Sequence, residues 1–151
     1  MRFRFFLFFI GIFIFGCSQA FSQNKNQVCF QSQCFEVELA LTPQEAQKGL
    51  MFRTSLDVDK GMLFVFPQEG FYPFWMENTL IPLDMIWFDQ SRRVIYIEHD
   101  VPPCKEDPCP TYGPRGSSSY VLEVNAGASA ALNIKTGDIV QFQIPESNLQ
   151  K

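Results

Sequence analysis

From Phe35 to Leu41 the apolar residues Phe35, Val37, Leu39 and Leu41 alternate with Glu36, Glu38 and Ala40. This period of two predicts a strand with one face in a core and its carboxylates outside. The period then breaks. Thr42-Pro43-Gln44-Glu45 reads as a capping box with Pro at the first helical position, and Gly49 stands where a two-turn helix needs a left-handed stop, so a short helix is predicted over 43–48. Met62 to Phe66 is apolar on both faces and too short for a typical helix, which predicts a fully buried strand ending at the turn around Pro67 and Gly70. Further strands are predicted at 74–78, 83–88 and 94–99, the last two joined by the polar segment 89–93 as a hairpin.

Residues 100–119 hold five of the ten Pro and form the longest irregular stretch, a length that usually marks a functional or stapled loop. Beyond it, Tyr120 to Val124 is strand-like and the Ala-rich run 127–133 predicts a second short helix. Gly137-Asp138 then turns the chain into a strand over 139–144, with Val140, Phe142 and Ile144 pointing inward. Strands outnumber helices by about three to one on this reading. The fold class is therefore mainly β, a β-rich α+β domain: a compact β-barrel or curled sheet with two short helices, spanning residues 28–151.

The remaining chain has a different composition. Eight of the 17 Phe lie in the first 21 residues, and the wholly apolar run 5–16 follows Arg2 and Arg4, an asymmetry that marks residues 1–16 as an export signal peptide. Ile14-Phe15-Gly16-Cys17 resembles the lipobox of bacterial lipoproteins, with Cys17 as the lipidated residue; cleavage after Ala20 or Ser22 is the rival. Residues 17–27 then form a polar tether. The expected location is the periplasm or outer membrane of a bacterium, reached through a lipid anchor. Loss of residues 1–16 moves the net charge from −4 to −6, which argues against both nucleic acid and anionic lipid as partners.

Cys29 and Cys34, and Cys104 and Cys109, form two pairs of equal spacing. In an exported chain the local pairings rank first, each closing a loop worth about 2 kcal/mol, although the spacing leaves the two other connectivities open. A four-thiolate zinc site is the functional rival.

The strings Gly49-Leu50-Met51-Phe52-Arg53, Gly61-Met62-Leu63-Phe64, Phe74-Trp75-Met76-Glu77-Asn78-Thr79 and Leu83-Asp84-Met85 occur in that order. Together with Pro102-Pro103-Cys104, the 120–127 segment and Gly137-Asp138, they resemble the domain of unknown function 192, also catalogued as uncharacterised protein family 0127, over residues 35–144. The resemblance implies a mostly β domain, often exported, with no established reaction, cofactor or partner. It assigns no functional residues.

Arg53, Trp75, Met76, Asn78, Thr79 and Asp84 are the densest polar and aromatic cluster, and they suit a small anionic or hydroxylated ligand: a forked donor, a flat apolar wall and an amide. The structural alternative makes Asn78-Thr79 a turn and lets Asp84 accept backbone hydrogen bonds or pair with Arg53. His99 is the single histidine and is expected on the face of Ile95 and Ile97. With Asp84 or Glu123 it offers acid and base groups for hydrolysis, yet no Ser or Cys stands in a nucleophile setting. Met51, Met62, Met76 and Met85 with His99 would suit Cu(I), against which core packing is the simpler role. The leading expectation is a non-enzymatic envelope module that binds a small ligand or a partner protein. Hydrolysis through Asp84 and His99 is the alternative and copper binding a second one; no cofactor or metal site is assigned.

Overall fold

The computed structural model of the chain describes residues 25–149 apart from 32 and 115. The expected export signal, the lipobox with Cys17 and most of the tether lie outside the described residues. Among those described, no helix is long and apolar enough to cross a membrane.

β1 (Gln27–Phe30) and β2 (Gln33–Ala40) form an antiparallel hairpin in which Cys29 lies opposite Cys34, and the two are bonded. The alternation read from the sequence holds in β2: Phe35 and Val37 are buried while Glu36 and Glu38 face outward. α1 (Pro43–Lys48) follows with its capping box intact, Thr42 accepting from the Glu45 amide and Glu45 accepting from the Thr42 amide. Gly49 ends it at φ +46 but ψ −133, a positive φ outside the left-handed helical well.

The helix and the loop after it return the chain to lie parallel to β2 as β3 (Lys60–Gly70), which is longer than expected and shifts register between Val65 and Gly70. β4 (Phe74–Trp75) is shorter than the predicted 74–78, because Thr79 N turns back to Met76 O and Asn78 takes φ +54. β5 (Leu83–Phe88) and β6 (Val94–Val101) form the predicted hairpin. The register irregularity between Val94 and Tyr96 accompanies Ile95 and Ile97 packing into different cores, so His99 does not share one face with both.

β7 (Thr111–Tyr112) pairs with β4 in a separate two-stranded ribbon, and the loop before it is closed by a Cys104–Cys109 disulfide. β8 (Ser118–Asn125), α2 (Ala128–Ala131), β9 (Gln141–Gln143) and a 3-10 turn (Glu146–Asn148) complete the described elements.

The large sheet runs β6-β5-β8-β3-β2-β1-β9, with β2–β3 its one parallel pair. It curls until the segment before β9 meets the start of β6, where Val94 N donates to Asp138 O and Val140 N to Arg92 O. It does not close, so of the two expected architectures the curled sheet is the one found and the barrel is corrected. Closure would need a continuous ladder between β6 and β9, and the two edges share only the isolated bridge Arg93–Ile139.

Period-two alternation divides the apolar residues between the two faces. One core gathers Leu63, Ile86, Phe88, Leu122, Val124 and Phe142 on the concave side. The other gathers Leu50, Met62, Phe64, Met76, Met85 and Trp87 beneath α1 and the small ribbon.

Candidate functional site

β8 is the middle of the sheet's buried half, and seven of its eight residues are buried. Its alternation places Val121 and Glu123 on the face under α1. Glu123 lies opposite Met62 on β3 and opposite Met85 on β5, so both lateral neighbours are apolar. The residue is 4% exposed, and Oε2 has no hydrogen-bond partner among the described residues. Burial pushes its carboxyl up to about 8, so it holds its proton at neutral pH.

Oε2 points towards the C-terminal end of α1. A Cβ built at Gly49 would stand 3.8 Å from it and 3.3 Å from the Phe64 ring, so the absence of a side chain there keeps the space in front of the acid open. That space is a cavity of about 30 Å³ whose walls include Gly49, Met51, Phe64, Phe74, Trp75 and Thr79, with Lys48 also on its lining. It has room for one water molecule or one polar group of a ligand. Phe64 and Phe74 meet edge to face at 4.7 Å, which fixes the wall, and Trp75 is 44% exposed beside it. Phe52 and Leu80, chain neighbours of Met51 and Thr79, are exposed as well.

Of the six residues expected to form one ligand surface, Trp75 and Thr79 line this cavity. Met76 is fully buried in the core below. Asn78 lies instead on a separate cleft beside the Cys104–Cys109 loop. Arg53 belongs to a larger charged groove of about 370 Å³. There its two guanidinium nitrogens grip both Glu38 oxygens at 2.6 and 2.7 Å, and that bond holds the Glu38 carboxyl below its ordinary range. Lys60 and Lys25 similarly close on Glu36. The groove is the larger space, but its principal charges already answer one another.

Asp84 points to the opposite core, completely buried, and the expected pairing with Arg53 is not found. Four donors satisfy it: the amides of Asp100, Gly127 and Ser129 at 2.9, 3.1 and 2.8 Å, and Ser129 Oγ at 2.6 Å. It thus ties β6 and the start of α2 to β5, as the structural alternative required. Ser129 Oγ also lies 2.8 Å from His99 Nδ1. Because the hydroxyl directs its one proton to Asp84, the imidazole donates from Nδ1. Asp84 and His99 are therefore linked through Ser129, but Asp84 and Ser129 are both fully buried, out of a substrate's reach.

Met62, Met76 and Met85 pack in the core below Glu123, on the sheet face opposite Asp84 and its Ser129–His99 contact. That is the packing role weighed against copper. The Cys29–Cys34 and Cys104–Cys109 pairings are the local ones. Glu123 and Gly49 are the residues that pattern reading undervalued. A lone acid inside the otherwise apolar run Tyr120-Val121-Leu122-Glu123-Val124 was the available signal.

Comparison with known proteins places a chain of this fold in a family. The model of domain of unknown function 192, described as "Uncharacterized ACR", matches residues 25–142. The chain belongs to this family, whose function is not established. A UPF0127 protein of Thermococcus gammatolerans is 30% identical over 115 residues, covering 73% of this chain and 68% of that protein. A protein of unknown function from Novosphingobium aromaticivorans has a similar structure, with a TM-score of 0.70 and 40% identity over 78% of this chain and 83% of its own. A Sinorhizobium meliloti protein, proposed to be a transcription regulator, gives a TM-score of 0.69 and 30% identity over 78% and 92%. These comparisons correct one expectation. The curated relatives are Thermococcus proteins, and those archaea have neither a periplasm nor an outer membrane, so the placement as a bacterial periplasmic or outer-membrane lipoprotein is withdrawn.

Proposed function

We propose that the protein is a non-enzymatic binding module that seats one hydroxyl of a small hydroxylated ligand against Glu123, with Trp75 as the flat wall for the rest of the molecule. The observation that carries this reading is the buried Oε2 without a partner, facing a cavity of about 30 Å³. A carboxyl that keeps its proton at neutral pH is a donor, and a ligand oxygen completes the bond that the protein leaves unmade.

The cavity admits a single polar group, so most of the ligand stays outside, where Trp75 and Phe52 offer exposed aromatic surface. An anionic ligand loses its expected anchor because Arg53 is held by Glu38. A cationic one meets Lys48 on the lining. Hydrolysis through Asp84 and His99 draws no support from an acid whose two oxygens already accept four hydrogen bonds.

The test is an amide-detected NMR titration of the chain with glycerol, inositol and a set of monosaccharides. The reading expects at least one of them to shift Gly49, Thr79, Glu123 and the Trp75 indole together, and expects Glu123→Leu or Trp75→Ala to abolish the response. Shifts scattered over the surface, or retained in both variants, contradict it.

A further inference from the structure

The loop between β6 and β7 carries a second cluster, independent of the Glu123 cavity. Sγ of Cys104, Sγ of Cys109 and a carboxylate oxygen of Asp107 all lie within 4.8 Å of one another, and Asp107 Oδ1 is 3.6 Å from Cys109 Sγ. They face a cleft of about 180 Å³ to which Glu77, Asn78 and Glu106 also contribute. In the structure the two sulfurs are bonded to each other and cannot serve as ligands.

The loop's ends, however, are held by contacts other than that bond. Val101 is buried in the core, Cys104 N donates to Met76 O at 3.4 Å, and Thr111 and Tyr112 pair with Trp75 and Phe74. Opening the disulfide therefore frees the sulfurs without releasing the segment that presents them.

We propose that reduction of Cys104–Cys109 turns this loop into a site for a zinc-class divalent cation, held by two thiolates and the Asp107 carboxylate, with the fourth position open to solvent. A dithiol donates two electrons and two protons to the S–S bond, becoming a disulfide itself and leaving two cysteine thiols. Cation binding then displaces both thiol protons as two Zn–S bonds form.

The chemistry fits the geometry. A tetrahedral zinc with Zn–S of about 2.3 Å and Zn–O of about 2.1 Å needs ligand atoms roughly 3.6–3.8 Å apart, a spacing the three reach by short side-chain movements once the sulfurs separate. Thiolate and carboxylate together suit a borderline cation. The acids around the cleft, Glu77, Glu106 and Asp107, outnumber its Lys105 and add favourable charge. The Cys29–Cys34 pair sits face to face on neighbouring strands, and among the described residues no histidine or carboxylate joins it in such a group. The two disulfides thus differ in what their reduction exposes.

The experiment loads the full chain, in a Cys17→Ser background and again with Cys29→Ser and Cys34→Ser added, with Co²⁺ before reduction and after reduction and removal of the dithiol. The proposal expects one equivalent of Co²⁺ per reduced chain in both backgrounds, with sulfur-to-cobalt charge-transfer and tetrahedral d–d absorption, displaced by Zn²⁺. Asp107→Asn should weaken binding by about tenfold or more, since loss of even an outer-shell partner commonly costs that much. No tetrahedral spectrum after reduction overturns the proposal. So do equal uptake by the oxidised chain, a spectrum that survives Cys104→Ser with Cys109→Ser, and an Asp107→Asn variant of unchanged affinity.

Discussion

Two buried acids on neighbouring strands illustrate how differently one charge type can be treated. Asp84 accepts four hydrogen bonds, whereas Glu123 Oε2 accepts none. Removing the first leaves three amides and a hydroxyl without an acceptor, so Asp84→Ala should cost about 3 kcal/mol or more in urea unfolding. Glu123 works in the opposite sense. Its folded carboxyl is raised to about 8 from the ordinary 4.5, so between those values the folded chain keeps a proton that the unfolded chain releases. Stability is fully present below pH 4.5, declines as pH rises towards 8, and stays level above it. Glu123→Gln should flatten this slope and gain up to roughly 5 kcal/mol relative to the parent at pH 8, with little difference at pH 4.5. Arg53→Ala breaks a half-exposed ion pair and should change stability by no more than about 1 kcal/mol. Pattern reading offered Asp84 either backbone donors or Arg53, and the donors are the ones found. The sequence places Glu38 and Arg53 fifteen residues apart, and no periodicity says that α1 will fold back to bring them together.

At the scale of elements, α1 was legible to the residue because its signals are local: Thr42, Pro43 and Glu45 act within one turn. The longer strands were legible in place and less so in extent, since β3 lengthens and β4 shortens according to which partners they meet, whereas the two-residue β7 falls inside the stretch 100–119 read as irregular. The parallel pairing of β2 with β3 was not legible at all, because alternation fixes which face a strand buries and not the direction of its neighbour. That pairing matters, as the return crossover sets Gly49 over Glu123. Thr42→Ala removes the Glu45 cap and should lower stability by about 1 kcal/mol. It should also speed amide exchange over 45–50, the segment that covers the cavity, while amides of β8 remain protected.

Taken as a whole, the molecule is an open, curled sheet with a core on each face, and each acid belongs to a different core. Its two disulfides each span five residues of sequence and add stability to a structure that already has those cores. Reducing both should lower unfolding stability by about 2 kcal/mol per bridge and leave the far-ultraviolet dichroism of the sheet intact. Hydrophobic patterning revealed the β-rich class but not whether the sheet closes, because closure depends on the edges β6 and β9 forming a full ladder. One acid thus lies protonated on β8, beside the sheet's middle strand, open to a small cavity and with Oε2 unpartnered among the described residues. A pH titration of the Glu123 side-chain carboxyl carbon by ¹³C NMR, assigned by comparison with Glu123→Gln, tests this most directly. A midpoint near 8 is expected, and one near the ordinary 4.5 would show the carboxyl to be an ordinary solvated acid.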